Sequence, residues 1–262
     1  MNAGVQVSLE GKIALVTGGR RQLGRAHAIR LAECGADVAI ADIAHDEDMS
    51  ITVAEIEKRG RKALPIVCDI SKRDQVEAMF AKIFETFGGI DILVNNAGIS
   101  SRQTLMSVEE DEWNAVMDIN LKGMVMCTQY AAKQMIRQGR GGSIINLSSS
   151  TGLNANVSRG CYGVSKAGVI MATKLFAREL GEYNINVNAI APGFTSTAKI
   201  GGRNGVIFRR GPEETERVLS KLAIKRQGEP VDYANTVVFL ASDMGAYITG
   251  MTIAIDGGFT IR

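Results

Sequence analysis

Apolar residues fall in short unbroken runs separated by longer amphipathic stretches, and the two alternate along most of the chain. KIALVT, from Lys12 to Thr17, is short and lacks polar alternation, which predicts a buried strand. A glycine-rich turn follows. Small and apolar side chains at Ala26, Ile29, Ala32 and Cys34 then predict a helix from Arg25, ended by Gly35. The alternation continues with a strand at 37–43, a charged helix over 46–59, a strand at 64–70 and an amphipathic helix at 75–87. DILVNNAG at 91–98 is a strand and its exit, and 108–135 is helical with a break near Lys122 and Gly123. Strands at 143–149, 185–193 and 251–258, with helices over 162–182 and 231–242, complete the pattern.

The strands are rich in Val, Ile, Leu and Ala throughout, so both of their faces are expected to lie under helices. Right-handed crossovers then favour one α/β domain over residues 1–262, a doubly wound parallel seven-stranded sheet of Rossmann type. No repeat or low-complexity linker divides the chain. The main irregular stretch, about Ala198 to Pro212, is rich in Gly and Arg and leads into a short helix to about Ala223. An insert at 198–223 follows the sixth strand, so it is expected at the ligand-binding edge of the sheet, as a lid or an ordered loop.

Charge narrows the function class. Thirty basic and 28 acidic residues give a net charge of +2, too balanced for a nucleic-acid binder. Cys34, Cys68, Cys127 and Cys161 lack metal-site spacing, and His27 and His45 are the only histidines, so no metal is expected. No apolar stretch approaches the length of a membrane span, and the first ten residues do not read as a signal peptide. A cytoplasmic protein is the default expectation.

The turn TGGRRQLGRA, from Thr17 to Ala26, joins the first strand to the first helix. Gly18 and Gly24 there would let the backbone approach a pyrophosphate, with the unpaired N–H groups of the helix facing it. Asp42 ends the second strand, where a carboxylate accepts from a ribose diol and repels a 2′-phosphate. Arg20 and Arg21 pull the other way, because guanidinium groups attract that phosphate; Asp42 outweighs them, and NAD is expected over NADP. Asp69 closes the third strand, while Asn95, Asn96, Ala97 and Gly98 close the fourth. These Asn side chains either tether loops or line the adenosine side.

Tyr162 and Lys166 stand four apart and so share a helix face. Free Tyr titrates near about 10, and a neighbouring ammonium favours the phenolate. Tyr162 can then exchange a proton with an alcohol or ketone oxygen while Ser149 holds that oxygen.

In order and context these motifs resemble the classical short-chain dehydrogenase/reductase family over about Leu9 to Gly258. They are the glycine turn at Thr17, NNAG at 95–98, Asn120, Ser149 thirteen residues before YGVSK at 162–166, NAIAPG at 188–193, and a late ITG…IDGG at 248–258. The resemblance implies a catalytic tetrad of Asn120, Ser149, Tyr162 and Lys166. Asn120 would hold a relay water, and Lys166 would also bind the nicotinamide ribose. It further implies cofactor contacts from Gly18, Arg21, Gln22 and Leu23 in the first turn and from Asp42 beyond it. Asp69 and Ile70 would flank the adenine, with Asn96, Ala97 and Gly98 nearby. Pro192, Gly193, Thr195 and Thr197 would lie at the nicotinamide. A homotetramer built through the region from Ile248 to Gly258 is also implied. One departure stands out: the family has glycine where this chain has Gln22.

The implied substrate is a secondary alcohol or ketone: cyclic or aromatic, a polyol, a hydroxyacyl thioester or an acyl-carrier-protein ketoester. Leu153, Val157 and Phe194 offer apolar surface, Ile207 or Phe208 a cover over a ring, and Arg203, Arg209 and Arg210 an attraction for anions. The rival readings are an NADP-dependent carbonyl reductase and a catalytically silent subunit of a hetero-oligomer. A serine hydrolase fails for want of a G-x-S-x-G elbow and a histidine partner.

Overall fold

The computed structural model describes residues 7–196, 200–201, 207–208 and 211–261. Seven strands form one wholly parallel sheet: β1 (Ile13–Thr17), β2 (Asp37–Asp42), β3 (Ala63–Val67), β4 (Ile92–Asn95), β5 (Gly142–Leu147), β6 (Ile185–Pro192) and β9 (Thr252–Ile255). Their order is β3-β2-β1-β4-β5-β6-β9. The chain winds outward from β1 in both directions, so a crevice opens beyond the carboxyl ends of β1 and β4. β7 (Ile200–Gly201) and β8 (Ile207–Phe208) pair antiparallel in the expected insert. Thr197, Arg203, Arg209 and Arg210 lie outside the described residues.

The two-sided apolar pattern has a direct cause. Ala14 and Val16 of β1 point into a core that takes in Leu31 of α1 (Gln22–Glu33), Met49 and Ile56 of α2 (Glu47–Glu57), and Tyr233 and Val237 of α9 (Pro230–Ala241). Leu15, between them, points into the opposite core with Phe80 of α3 (Arg73–Phe87), Met135 of α5 (Met124–Gln138) and Leu180 of α7 (Gly160–Leu180). All three β1 residues are fully buried, which explains why the strand reads as continuously apolar.

Several boundaries differ from the expected ones, mostly at the crevice. β3 stops at Val67, so Asp69 and Ile70 sit in the turn beyond it, where the Asp69 carboxylate accepts from Ser71 N at 2.9 Å. β5 stops at Leu147; Ser149 instead caps the short α6 (Ser150–Leu153), its Oγ accepting from Thr151 N at 3.2 Å. The expected break in the long middle helix is a π-helical stretch, Asp118–Gly123, between α4 (Glu110–Met117) and α5. Helix α8 (Pro212–Leu219) ends four residues before the expected Ala223.

Candidate active site

One cavity of about 1300 Å³ runs along the carboxyl ends of the strands. Asp42 and Asp69 stand on its wall with Gly18, Arg21, Gln22 and Leu23; Asn96, Ala97 and Gly98 follow, then Ser149, Tyr162 and Lys166. Ile70, Pro192, Gly193 and Thr195 line it as well. The sequence-derived set therefore converges on one space, with Thr197 undescribed and Asn120 behind the wall.

The first turn is built for close approach. Gly18 has φ +65°, and a Cβ there would lie 2.8 Å from Ala97 Cα; at Gly24 it would lie 2.0 Å from Gly18 O. Both glycines are required by packing before any ligand is considered. Asn96 tethers this turn to β4, its amide donating to Thr17 O at 3.0 Å and Gly18 O at 2.9 Å. Thr17 Oγ1 accepts in return from Asn96 N and Ala97 N, both at 3.1 Å. Of the two roles left open for Asn96, tethering thus occupies its amide group. Asn95 is buried in a second chain of bonds, donating to Asn146 Oδ1 at 2.8 Å, and Asn146 donates to Thr173 Oγ1 at 3.0 Å. Asn146 carried no signal in the sequence, because a single buried polar residue in a strand has none.

At the adenosine end, Arg20 is already engaged. Its Nε lies 3.0 Å from Asp42 Oδ1, and its Nη1 pairs with the Asp46 carboxylate. Asp42 Oδ1 also accepts from Ile43 N at 2.8 Å. Arg20 is held by two carboxylates, which leaves Arg21, the residue preceding α1, as the guanidinium of the pair not tied into that cluster. Gln22 takes φ +53°, the left-handed conformation that glycine adopts without strain. The turn keeps the backbone shape glycine would give it and projects a side chain into the cavity lining.

At the other end, Lys166 is buried and donates from Nζ to Leu147 O at 2.7 Å. Its ammonium lies 5.7 Å from the centroid of the Tyr162 ring, as their four-residue spacing on α7 predicts. Burial pushes the Lys166 pKa down to about 8. Asn120, carried on the π-helical stretch, is locked by Ile99 and Ser165: Oδ1 accepts from Ile99 N at 2.8 Å, while Nδ2 donates to Ile99 O at 2.9 Å and Ser165 Oγ at 3.1 Å. Gly98 keeps the space between them open, since a Cβ there would lie 3.1 Å from Asn120 Oδ1 and 3.5 Å from Lys166 Nζ.

His27 is fully buried in α1, and burial lowers its pKa to about 3, so it stands in the core as a neutral ring away from the cavity lining. Among the described residues no group of three His, Cys, Asp or Glu side chains is placed to hold a metal ion, and no helix is long and apolar enough to cross a membrane.

Residues 18–260 match the family described as Enoyl-(Acyl carrier protein) reductase. The chain is 43% identical over 247 residues to the 3-oxoacyl-(acyl-carrier-protein) reductase FabG of Staphylococcus aureus, covering 94% of this chain and 97% of that protein. The chain belongs to the short-chain dehydrogenase/reductase family. It is also 38% identical over 255 residues to the 2-dehydro-3-deoxy-D-gluconate 5-dehydrogenase of Escherichia coli, covering 97% of this chain and 98% of that one. Among solved structures, carveol dehydrogenase from Mycobacterium avium in complex with NAD superimposes with a TM-score of 0.90 at 29% identity, covering 98% of this chain and all of that one. A member of this family with this cavity is an NAD(P)-linked oxidoreductase of alcohol and ketone carbons.

Proposed function

We propose that the protein is an NAD-linked dehydrogenase of a secondary alcohol, working reversibly on the matching ketone, with Tyr162 as acid and base. The observation that carries this reading is the buried Lys166 ammonium, 5.7 Å from the Tyr162 ring on the floor of the cavity. A positive charge held in a low-dielectric wall stabilises the phenolate form of its neighbour. Tyr162 then accepts the hydroxyl proton as the carbon gives up its hydride, and returns it in reduction. The nicotinamide, when bound, accepts or supplies that hydride. Ser149 stands on the same wall to hold the substrate oxygen, with its backbone fixed at the start of α6. Asn120, locked in the π-helical stretch, sets the position of the loop at Ile99 and Gly98 and lies beside Lys166, on the route by which protons would reach it.

The residues fit a dinucleotide. Gly18 and Gly24 bring the first turn close, and the end of α1 would face a pyrophosphate with Arg21, Gln22 and Leu23 around it. Asp69 and Ile70 would flank the adenine, Ala97 and Gly98 the adjoining ribose, and Pro192, Gly193 and Thr195 the nicotinamide. Preference for NAD rests on Asp42, whose carboxylate lines the cavity at the end of β2 and would repel a 2′-phosphate. The NAD complex of the carveol dehydrogenase supports the same choice. Assembly as a homotetramer is supported by apolar side chains left exposed along α7, at Val164, Met171 and Leu175, and beside β9 at Met251.

Replacement of Tyr162 with Phe tests the chemistry. Turnover on every alcohol accepted by the parent should fall by about a thousandfold or more, with NADH affinity unchanged within a few-fold. Retained turnover would refute the assignment of the proton to Tyr162. The two relatives are named for a thioester and for a sugar acid, so the substrate has to be read from the cavity.

A further inference from the structure

Phe259 lines the cavity from just beyond the IDGG that ends the matched motifs. β9, which precedes it, is the edge strand beside β6, on the side of the sheet away from Asp42. The turn after β9 lies against the exit of β6: Gly193 N donates to Ile255 O at 3.0 Å, and a Cβ on Gly193 would lie 2.5 Å from Asp256 Cβ. Asp256 braces that turn with three bonds. Its carboxylate accepts from Gly258 N at 3.0 Å and Thr260 N at 2.9 Å, and its carbonyl accepts from Phe259 N at 3.2 Å. Gly257 and Gly258, at φ +63° and +82°, supply the left-handed backbone the reversal needs. The same turn anchors the exit from α8, because Gly257 O accepts from Ala223 N at 2.8 Å and Ile224 N at 3.0 Å. Before the insert, Phe194 O accepts from Gly228 N at 2.8 Å. Buried Phe194, Val218 of α8 and Phe259 thus reach the cavity wall from three segments with fixed backbones. None of these side chains can hydrogen-bond, so what they offer a substrate is removal of apolar surface from water.

We propose that Phe259 is a specificity-determining residue: its ring closes the substrate end of the cavity and sets the size of the apolar substituent on the alcohol or ketone carbon. This rests on the reading of the cavity as an alcohol and ketone site with the reacting carbon at Tyr162. Each methylene of a substituent buried among Phe194, Val218 and Phe259 raises affinity about fourfold. Growth stops paying once the substituent meets the Phe259 ring, because a turn held by Asp256 and tied to Ala223 and Ile224 does not yield. A hydroxyl placed against the same three side chains would lose its bonds to water without replacement. The class that fits is therefore an alkyl or aryl secondary alcohol, not a polyol.

The test is ligand-observed NMR on the purified protein with a series of methyl ketones of four to ten carbons, beside turnover of the matching alcohols with NAD. Affinity for the parent should rise with length to an optimum and then fall. Phe259→Ala should move that optimum to a longer ketone, with the first ketone beyond the parent's optimum bound about fourfold or more tightly than by the parent. Phe259→Trp should move it to a shorter one. Phe259→Leu, the mildest change, should shift it the same way as Ala but less, and carries the comparison if the other two do not fold. The same optimum in the parent and every folded variant, or no ketone bound at all, would overturn the assignment. An optimum that moves with the Phe259 variants in a protein that oxidises none of the alcohols would leave Phe259 as the size filter and remove the redox reading.

Discussion

Lys166→Met should stabilise the fold at neutral pH while ending turnover. The ammonium is buried, and burial lowers its pKa from 10.5 to about 8. At pH 7 the group is protonated in both folded and unfolded chains, so the depressed folded value is a cost. At 1.36 kcal/mol for each pH unit, that cost is about 3 kcal/mol. Between pH 8 and 10.5 the unfolded chain binds more protons than the folded one, so stability rises with pH through that window. By about pH 9.5 the cost should be about 1 kcal/mol. Met removes the charge at similar length but forfeits the hydrogen bond to Leu147 O, worth about 1 kcal/mol. The variant should therefore be more stable than the parent by about 1–3 kcal/mol at pH 7, and the gap should narrow by about 2 kcal/mol at pH 9.5. Urea unfolding of both proteins at the two pH values, at one protein concentration, measures it. A variant no more stable at pH 7, with a gap that does not change with pH, would refute the claim that Lys166 is held as a buried cation. Such a cation is retained at the expense of stability, which is the usual relation between a fold and its active site.

Two further outcomes follow from buried or strained residues. His27 is neutral in the core, so the folded chain resists protonation: stability present above pH 6.5 should be lost as pH falls toward 3. Urea unfolding should show a loss of about 2 kcal/mol between about pH 7.5 and 5 that His27→Leu does not show; equal losses in both proteins would place the acid sensitivity elsewhere. Gln22→Gly should relieve the positive φ and stabilise by about 1 kcal/mol in the same assay. Destabilisation would mean that the Gln22 side chain makes compensating contacts.

Much of this was legible from residue patterns. Seven apolar runs became seven parallel strands, because a strand buried on both faces leaves no room for polar alternation, as Ala14, Leu15 and Val16 illustrate. The glycine turn and the four-residue spacing of Tyr162 and Lys166 were readable because local geometry fixes them. Strand ends were less so: β3 and β5 each stop before residues the pattern had included, since the crevice frees the backbone from pairing there. The π-helical stretch under Asn120 showed only as a break, for a widened turn has no residue code of its own. Arg20 was expected to compete for phosphate and instead binds Asp42, a contact between residues 22 apart that spacing alone does not specify. Anion attraction was sought in Arg203, Arg209 and Arg210, whereas Arg102 and Arg159 line the described cavity. They come from two loops distant in sequence, and only the folded sheet brings them together.

If Asp42 selects the cofactor, this cavity takes NAD and discriminates against NADP. Side-by-side fluorescence titration with NADH and NADPH tests it most directly, with the parent and with Asp42→Ser. The parent should bind NADH at least about tenfold more tightly than NADPH, about 1.4 kcal/mol, and the serine variant should narrow the ratio. NADPH binding as tight as NADH in the parent would contradict it and move Arg21 to the centre of cofactor selection. Failure to bind either would contradict it more deeply and favour the silent-subunit reading, with the side chain of Gln22 closing the turn.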